Sequence, residues 1–164
     1  MNTEFLMSLL TTPTVSGFET AGSELYESYL RKYVDECSVD ILGNAFATLD
    51  TDDRFPNIMI EAHIDEIGFQ VLYVGDDGCV YVRKNGGIDL QCIPGSRVII
   101  RGSSEDISGV IGKMPIHLQN NQEKDKTPEL SSLWIDTGLD AEDVKKKVHI
   151  GDVVVLKQEP EIVG

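Results

Sequence analysis

Apolar residues recur along this chain at two different periods, and the change of period divides it. Phe5, Leu6, Leu9 and Leu10 follow helical spacing behind Asn2 and Thr3, which can cap a short helix, and Thr11-Thr12-Pro13 ends it. Ser16 and Glu19 then stand at capping-box spacing ahead of Phe18, Ala21, Leu25, Tyr26, Tyr29 and Tyr33. These predict a helix over 17–33 whose apolar stripe faces the core. From Cys37 the alternation predicts two strands, 37–41 and 45–49, joined by a tight turn at Gly43-Asn44. Residues 50–56 read as a polar loop. The run Ile58-Met59-Ile60 within 57–62 reads as a buried central strand leading into His63.

Beyond Gly68 the pattern is almost wholly that of strands. Segments 69–74 and 79–83 flank Asp76-Asp77-Gly78, a hairpin signal, and 97–101, 107–111, 133–136 and 153–157 follow at short spacing with glycines between them. Such a series predicts a small barrel or sandwich. One helix interrupts it over 141–147, capped by Asp140, with Lys145, Lys146 and Lys147 in its last turn as a solvated, dipole-favoured end. Residues 120–129 form a polar loop expected to be mobile. The fold class expected is α/β plus β: residues 1–68 as an α/β part and 69–164 as a small β-barrel domain.

Charge narrows the partners. The chain has 28 acidic and 14 basic residues, a formal net charge of −14, which argues against nucleic acid or an anionic membrane surface. The N-terminus lacks the basic region of a signal peptide, and no apolar run is long enough to cross a bilayer, so a cytoplasmic protein is expected. Cys37, Cys79 and Cys92 fit neither a disulfide framework nor a metal knuckle and read as reduced, buried thiols.

His63 and Asp65 are the residues with chemistry to offer. A strand expected to be buried delivers His63 at its C-terminal end, and positions i and i+2 of an extended segment point the same way. The Asp65 carboxylate can therefore hydrogen-bond one imidazole nitrogen and leave the other as a metal ligand. Taken alone, His-x-Asp is more often a histidine at a strand end held by a local acid than a metal ligand.

The segment Ala62-His63-Ile64-Asp65-Glu66-Ile67-Gly68-Phe69 resembles the A-H-x-D-E-x-G-F signature of the glutamyl-aminopeptidase and cellulase-M-type metallopeptidases, a family that includes the TET-type aminopeptidases. Further segments resemble that family in the same order: Pro13 to Glu19 its P-x-x-S-G-x-E opening, Asp40 to Asn44 its D-x-x-G-N turn, Gly86-Gly87 its G-G, Gly109 to Gly112 its G-V-I-G, Pro115 to His117 its P-x-H, Ile135 to Gly138 its I-D-x-G, and Ile150 to Asp152 its I-x-x-G-D. The resemblance implies an N-terminal portion of an α/β peptidase domain (1–68) followed by a β-barrel lid domain (69–164). It implies peptide hydrolysis by two divalent ions, zinc or cobalt, with His63 as one metal ligand and Asp65 as the catalytic-site acid that orients it. Glu66 receives no direct role. Peptides would be the substrates, and a homo-oligomer or a complementing C-terminal half the partner.

The sequence also departs from the family's pattern. The other expected ligands, an Asp in a D-x-R motif, a Glu-Glu pair, a further Asp and a late His, would follow the β domain, where the given sequence stops; it holds no Glu-Glu pair, and His117 and His149 read as structural or exposed. The chain alone is therefore expected to be inactive and to bind no metal tightly. Its helix stripe and the 57–62 strand are expected to expose apolar surface where the rest of the domain would cover them. The alternatives are a non-catalytic assembly or binding module and, from the cellulase label, a glycoside hydrolase, for which no opposed carboxylate pair stands out.

Overall fold

A computed structural model describes residues 2–50, 54–119 and 126–163. The chain divides into two compact units, Met1–Glu66 with Glu159–Gly164, and Ile67–Gln158. The last six residues thus group with the first unit.

In the first unit, α1 (Thr3–Thr11) begins where Asn2 Oδ1 accepts a hydrogen bond from the Phe5 amide at 3.1 Å. Helix α2 spans Thr20–Leu30. The Phe5 and Tyr29 rings stack at 3.7 Å between centroids and join the two helices. Strands β1 (Glu36–Val39) and β2 (Ala45–Thr48) form an antiparallel hairpin, turned at Gly43 with φ +89°.

Three expectations for this unit are corrected. Helix α2 starts later than Gly17, because the Ser16 hydroxyl is not used as its cap and Glu19 reaches back to the Gly17 amide. The residues α2 buries are Gly22 and Ser23; Phe18 and Tyr33 are exposed, so the aromatic stripe is not the core face. The segment 57–62 forms no strand, and Ile58, Met59 and Ile60 are 84%, 77% and 93% exposed. A strand needs a neighbour to satisfy its backbone groups, and among the described residues none pairs with this run. The exposed apolar surface itself is as the sequence led us to expect.

The second unit is a closed six-stranded barrel. Its strands are β3 (Gly68–Val74), β4 (Val80–Asn85), β5 (Arg97–Arg101), β6 (Asp106–Lys113), β7 (Leu133–Asp136) and β8 (Val153–Leu156), in the order β3-β4-β7-β6-β5-β8. Pairing of Phe69 with Val154 closes the ring, so no strand edge is left open. Alternation sends Val98 and Ile100, Ile107 and Ile111, and Leu133 and Ile135 inward, where they pack with Phe69, Val71, Val80 and Val154. The interior is tight at Gly109, where an added Cβ would meet Ile135 Cγ2 at 2.5 Å. A short 3-10 turn, Leu130–Ser132, precedes β7.

Helix α3 (Ala141–Lys147) is capped by Asp140, which accepts from the Asp143 amide at 2.9 Å. Its Val144 reaches the barrel core. Two of its lysines do more than face solvent: Lys145 pairs with Asp76 at 2.8 Å and Lys147 with Glu105 at 2.7 Å, tying the helix end to two barrel turns. Most of the predicted loop at 120–129 lies outside the described residues. No helix of the described residues is long and apolar enough to cross a membrane.

Candidate functional site

The segments around residues 14 and 65 hold the site together. Val15 and Glu66 form a parallel bridge, and the Glu66 amide donates to the Thr14 carbonyl at 2.9 Å. Thr14 Oγ1 donates to the Ile64 carbonyl at 2.8 Å, and the Thr14 amide donates to Glu66 Oε1 at 3.3 Å. Thr14 and Val15 are buried. Gly22 of α2 lies against this ladder: a Cβ there would meet Thr14 Cγ2 at 2.5 Å and Ile64 Cδ1 at 3.1 Å. Glycine is thus what lets the helix backbone approach.

The ladder carries a three-residue relay. Asp65 Oδ2 accepts from the Ser16 hydroxyl at 2.5 Å. Its other oxygen, Oδ1, lies 3.1 Å from His63 Nδ1, and the Asp65 carbonyl oxygen lies 2.9 Å from the same nitrogen. Both neighbours of Nδ1 are acceptors, so Nδ1 carries the proton and Nε2 holds the open lone pair. The His63 side chain is 85% exposed and Asp65 36%. The Ser16 hydroxyl holds the Asp65 carboxyl below the ordinary carboxylate range; partial burial opposes this, and His63 adds to the lowering. Glu66 behaves in the opposite way: burial raises its carboxyl, against the hydrogen bond from Thr14.

The contact expected between His63 and Asp65 is therefore present. Ser16 is the residue whose place the local pattern does not reveal: its spacing from Glu19 suggests a helix cap, and nothing near it in sequence links it to Asp65. Glu66 serves the ladder through its carboxylate. His117 is exposed, and the His149 amide donates to Asp152 at 2.8 Å.

One imidazole with a fixed tautomer and an open nitrogen fits a single metal ligand, whereas a metal site needs three or four donors. Among the described residues no group of three His, Cys, Asp or Glu side chains could hold an ion. The residues fit one corner of a metal site and do not complete it, so we assign no catalytic step through a metal.

Comparison with known proteins decides the family. The family model of the M42 glutamyl aminopeptidases matches residues 43–164. This chain belongs to that family. Among curated M42-like relatives, it is 29% identical over 138 residues to the lysyl aminopeptidase of Pyrococcus furiosus, covering 82% of this chain and 39% of the relative. Among solved structures, the TET aminopeptidase of a marine sediment archaeon, Thaumarchaeota archaeon SCGC AB-539-E09, superposes with a TM-score of 0.91 at 29% identity, over 99% of this chain and 46% of that one. The TET1 peptidase of Pyrococcus horikoshii, described as assembling into a tetrahedron or a large octahedral shell, superposes with a TM-score of 0.81 at 29% identity, over 94% and 46%. The chain spans less than half the length of the curated relatives it matches. The M42 membership and the fold agree with the expectation of an N-terminal peptidase portion followed by a barrel.

Proposed function

We propose that this chain supplies one corner of a dinuclear-metal aminopeptidase: His63 as a terminal metal ligand through Nε2, and Asp65 as the positioning acid behind it. The observation that carries this is the relay Ser16–Asp65–His63, which spends both carboxylate oxygens and the Nδ1 proton on aiming one open nitrogen outward. When bound, two zinc or cobalt ions would acidify a water and clamp the tetrahedral intermediate of peptide hydrolysis. The chain's own part is to hold the imidazole in one tautomer and one orientation. Residues 1–68 would belong to the catalytic domain and the barrel would act as its lid. The remaining ligands and the general base would come from a C-terminal half or from another chain. Peptide substrates, a homo-oligomeric assembly like that described for the Pyrococcus horikoshii peptidase, and a cytoplasmic location complete the reading.

The test joins this chain to the C-terminal half of a family member and follows hydrolysis of an aminoacyl p-nitroanilide with zinc or cobalt. His63→Ala should abolish turnover, and Asp65→Asn should lower it about 10–100-fold with weaker metal retention. Undiminished activity of the His63→Ala protein would overturn the assignment. The 164-residue chain alone should show no turnover. A second reading, a non-catalytic assembly or binding module, draws on the barrel, which closes on itself around its own core. A folded, oligomeric chain that stays inactive in the joined protein would favour it.

A further inference from the structure

The outer face of the barrel carries an arrangement that the peptidase site does not use. Arg97 on β5 pairs with Val110 on β6, and Val110 with Asp136 on β7. Just beyond β8, the Lys157 amide donates to the Arg97 carbonyl at 2.9 Å, which sets Lys157 across from Arg97. One row therefore reads Lys157, Arg97, Val110, Asp136. Two like charges facing each other across neighbouring strands destabilise a sheet. In a chain of net charge −14, acidic partners are abundant, and Arg101, at the other end of the same strand, takes Asp106 at 3.1 Å. Among the described residues neither Arg97 nor Lys157 forms an ion pair. The row lines a groove of about 440 Å³ to which Ser108 and Thr137 also contribute.

We propose that this groove binds a short zwitterionic peptide, its carboxylate on Arg97 and Lys157 and its ammonium on Asp136. An arginine fork takes a carboxylate in two parallel hydrogen bonds, and the lysine adds a second positive charge. Asp136 stands two strand spacings from Arg97, roughly 10 Å between Cα atoms. A tripeptide extends about as far. Exposed Val110 lies between the charged ends as an apolar floor, and Ser108 and Thr137 offer hydroxyls to peptide groups. Asp136 disfavours a multiply charged anion such as phosphate. The proposal is independent of His63 and of any metal.

The test titrates the 164-residue chain with Ala-Ala-Ala and follows amide resonances by NMR. Saturable shifts confined to residues 97–98, 108–110 and 136–138 are expected below about 10 mM. On the unaltered protein, amidating the peptide's C-terminus or acetylating its N-terminus should each weaken binding about tenfold. The Arg97→Gln/Lys157→Gln protein should lose binding by at least a similar factor. Asp136→Asn, which keeps the acceptor for the Gly138 amide, should erase the preference for a free N-terminus. Absence of saturable shifts, equal binding of the blocked peptides, or equal binding of inorganic phosphate at the same residues would overturn the proposal. Because the blocked peptides are tested on the unaltered chain, misfolding of a variant cannot decide the outcome.

Discussion

Ser16 Oγ lies 2.5 Å from Asp65 Oδ2, across 49 positions of sequence, and this contact lowers the pKa of the acid and fixes the carboxylate behind the histidine. Ser16→Ala should therefore raise the Asp65 carboxyl toward its ordinary value and loosen the His63 ring. Carboxyl carbon shifts followed through an acid titration would show the first effect. Imidazole nitrogen shifts would show the second, as a mixture of tautomers replacing a single Nδ1–H form.

Asp65 and Glu66 should pull stability in opposite directions with pH. The folded Asp65 carboxyl sits below its ordinary value of 3.8, so its contribution is present above that value and is lost as pH falls through the folded pKa. The folded Glu66 carboxyl sits above its ordinary value of 4.5, so its contribution is greatest below 4.5 and declines as pH rises through the folded pKa. Glu66→Gln keeps an acceptor for the Thr14 amide and removes the buried charge. It should raise stability at pH 7 and leave stability near pH 4 almost unchanged, as measured by denaturant unfolding at the two pH values.

Gly22→Ala opposes two effects. Alanine favours the helix by about 1 kcal/mol. The new Cβ, however, would stand 2.5 Å from Thr14 Cγ2, on a buried side chain whose hydroxyl is committed to the Ile64 carbonyl. Overpacking costs about 1–3 kcal/mol and should win. A lower midpoint for the first unit, read from the amide resonances of α2, with the barrel's Trp134 signal unchanged, is the expected result.

The barrel should respond as an ordinary closed core. Ile100 is fully buried, and Ile100→Ala should cost about 2–5 kcal/mol, lowering the denaturation midpoint seen by Trp134.

Hydrogen exchange should separate the two kinds of backbone. Amides of the paired barrel strands should be strongly protected, while those of 57–62, which belong to no strand, should exchange near the unprotected rate. Ile58→Ser/Ile60→Ser should reduce aggregation with little change in the unfolding midpoint, because both side chains face solvent. Strong protection over 57–62 in a dilute monomer would show that the run is covered.

Local patterns decided much of this protein. All six barrel strands, the Gly43 and Gly78 turns and the Asp140 cap follow from alternation and turn chemistry, because each depends on neighbours within a few residues and on a barrel that closes on itself. The His63–Asp65 contact was legible for the same reason, being an i, i+2 relation. What only the tertiary structure decided are relations across distant sequence. Ser16 could have capped α2, yet a carboxylate 49 residues away competes for its hydroxyl. Gly22 carries no signal in the local pattern; only the packing of Thr14 and Ile64 against it shows why a side chain is excluded there. Ile58-Met59-Ile60 carries the composition of a buried strand, but burial needs a partner surface, and composition cannot supply one. A pattern states what a residue would gain from a neighbour; the folded chain decides whether that neighbour is there.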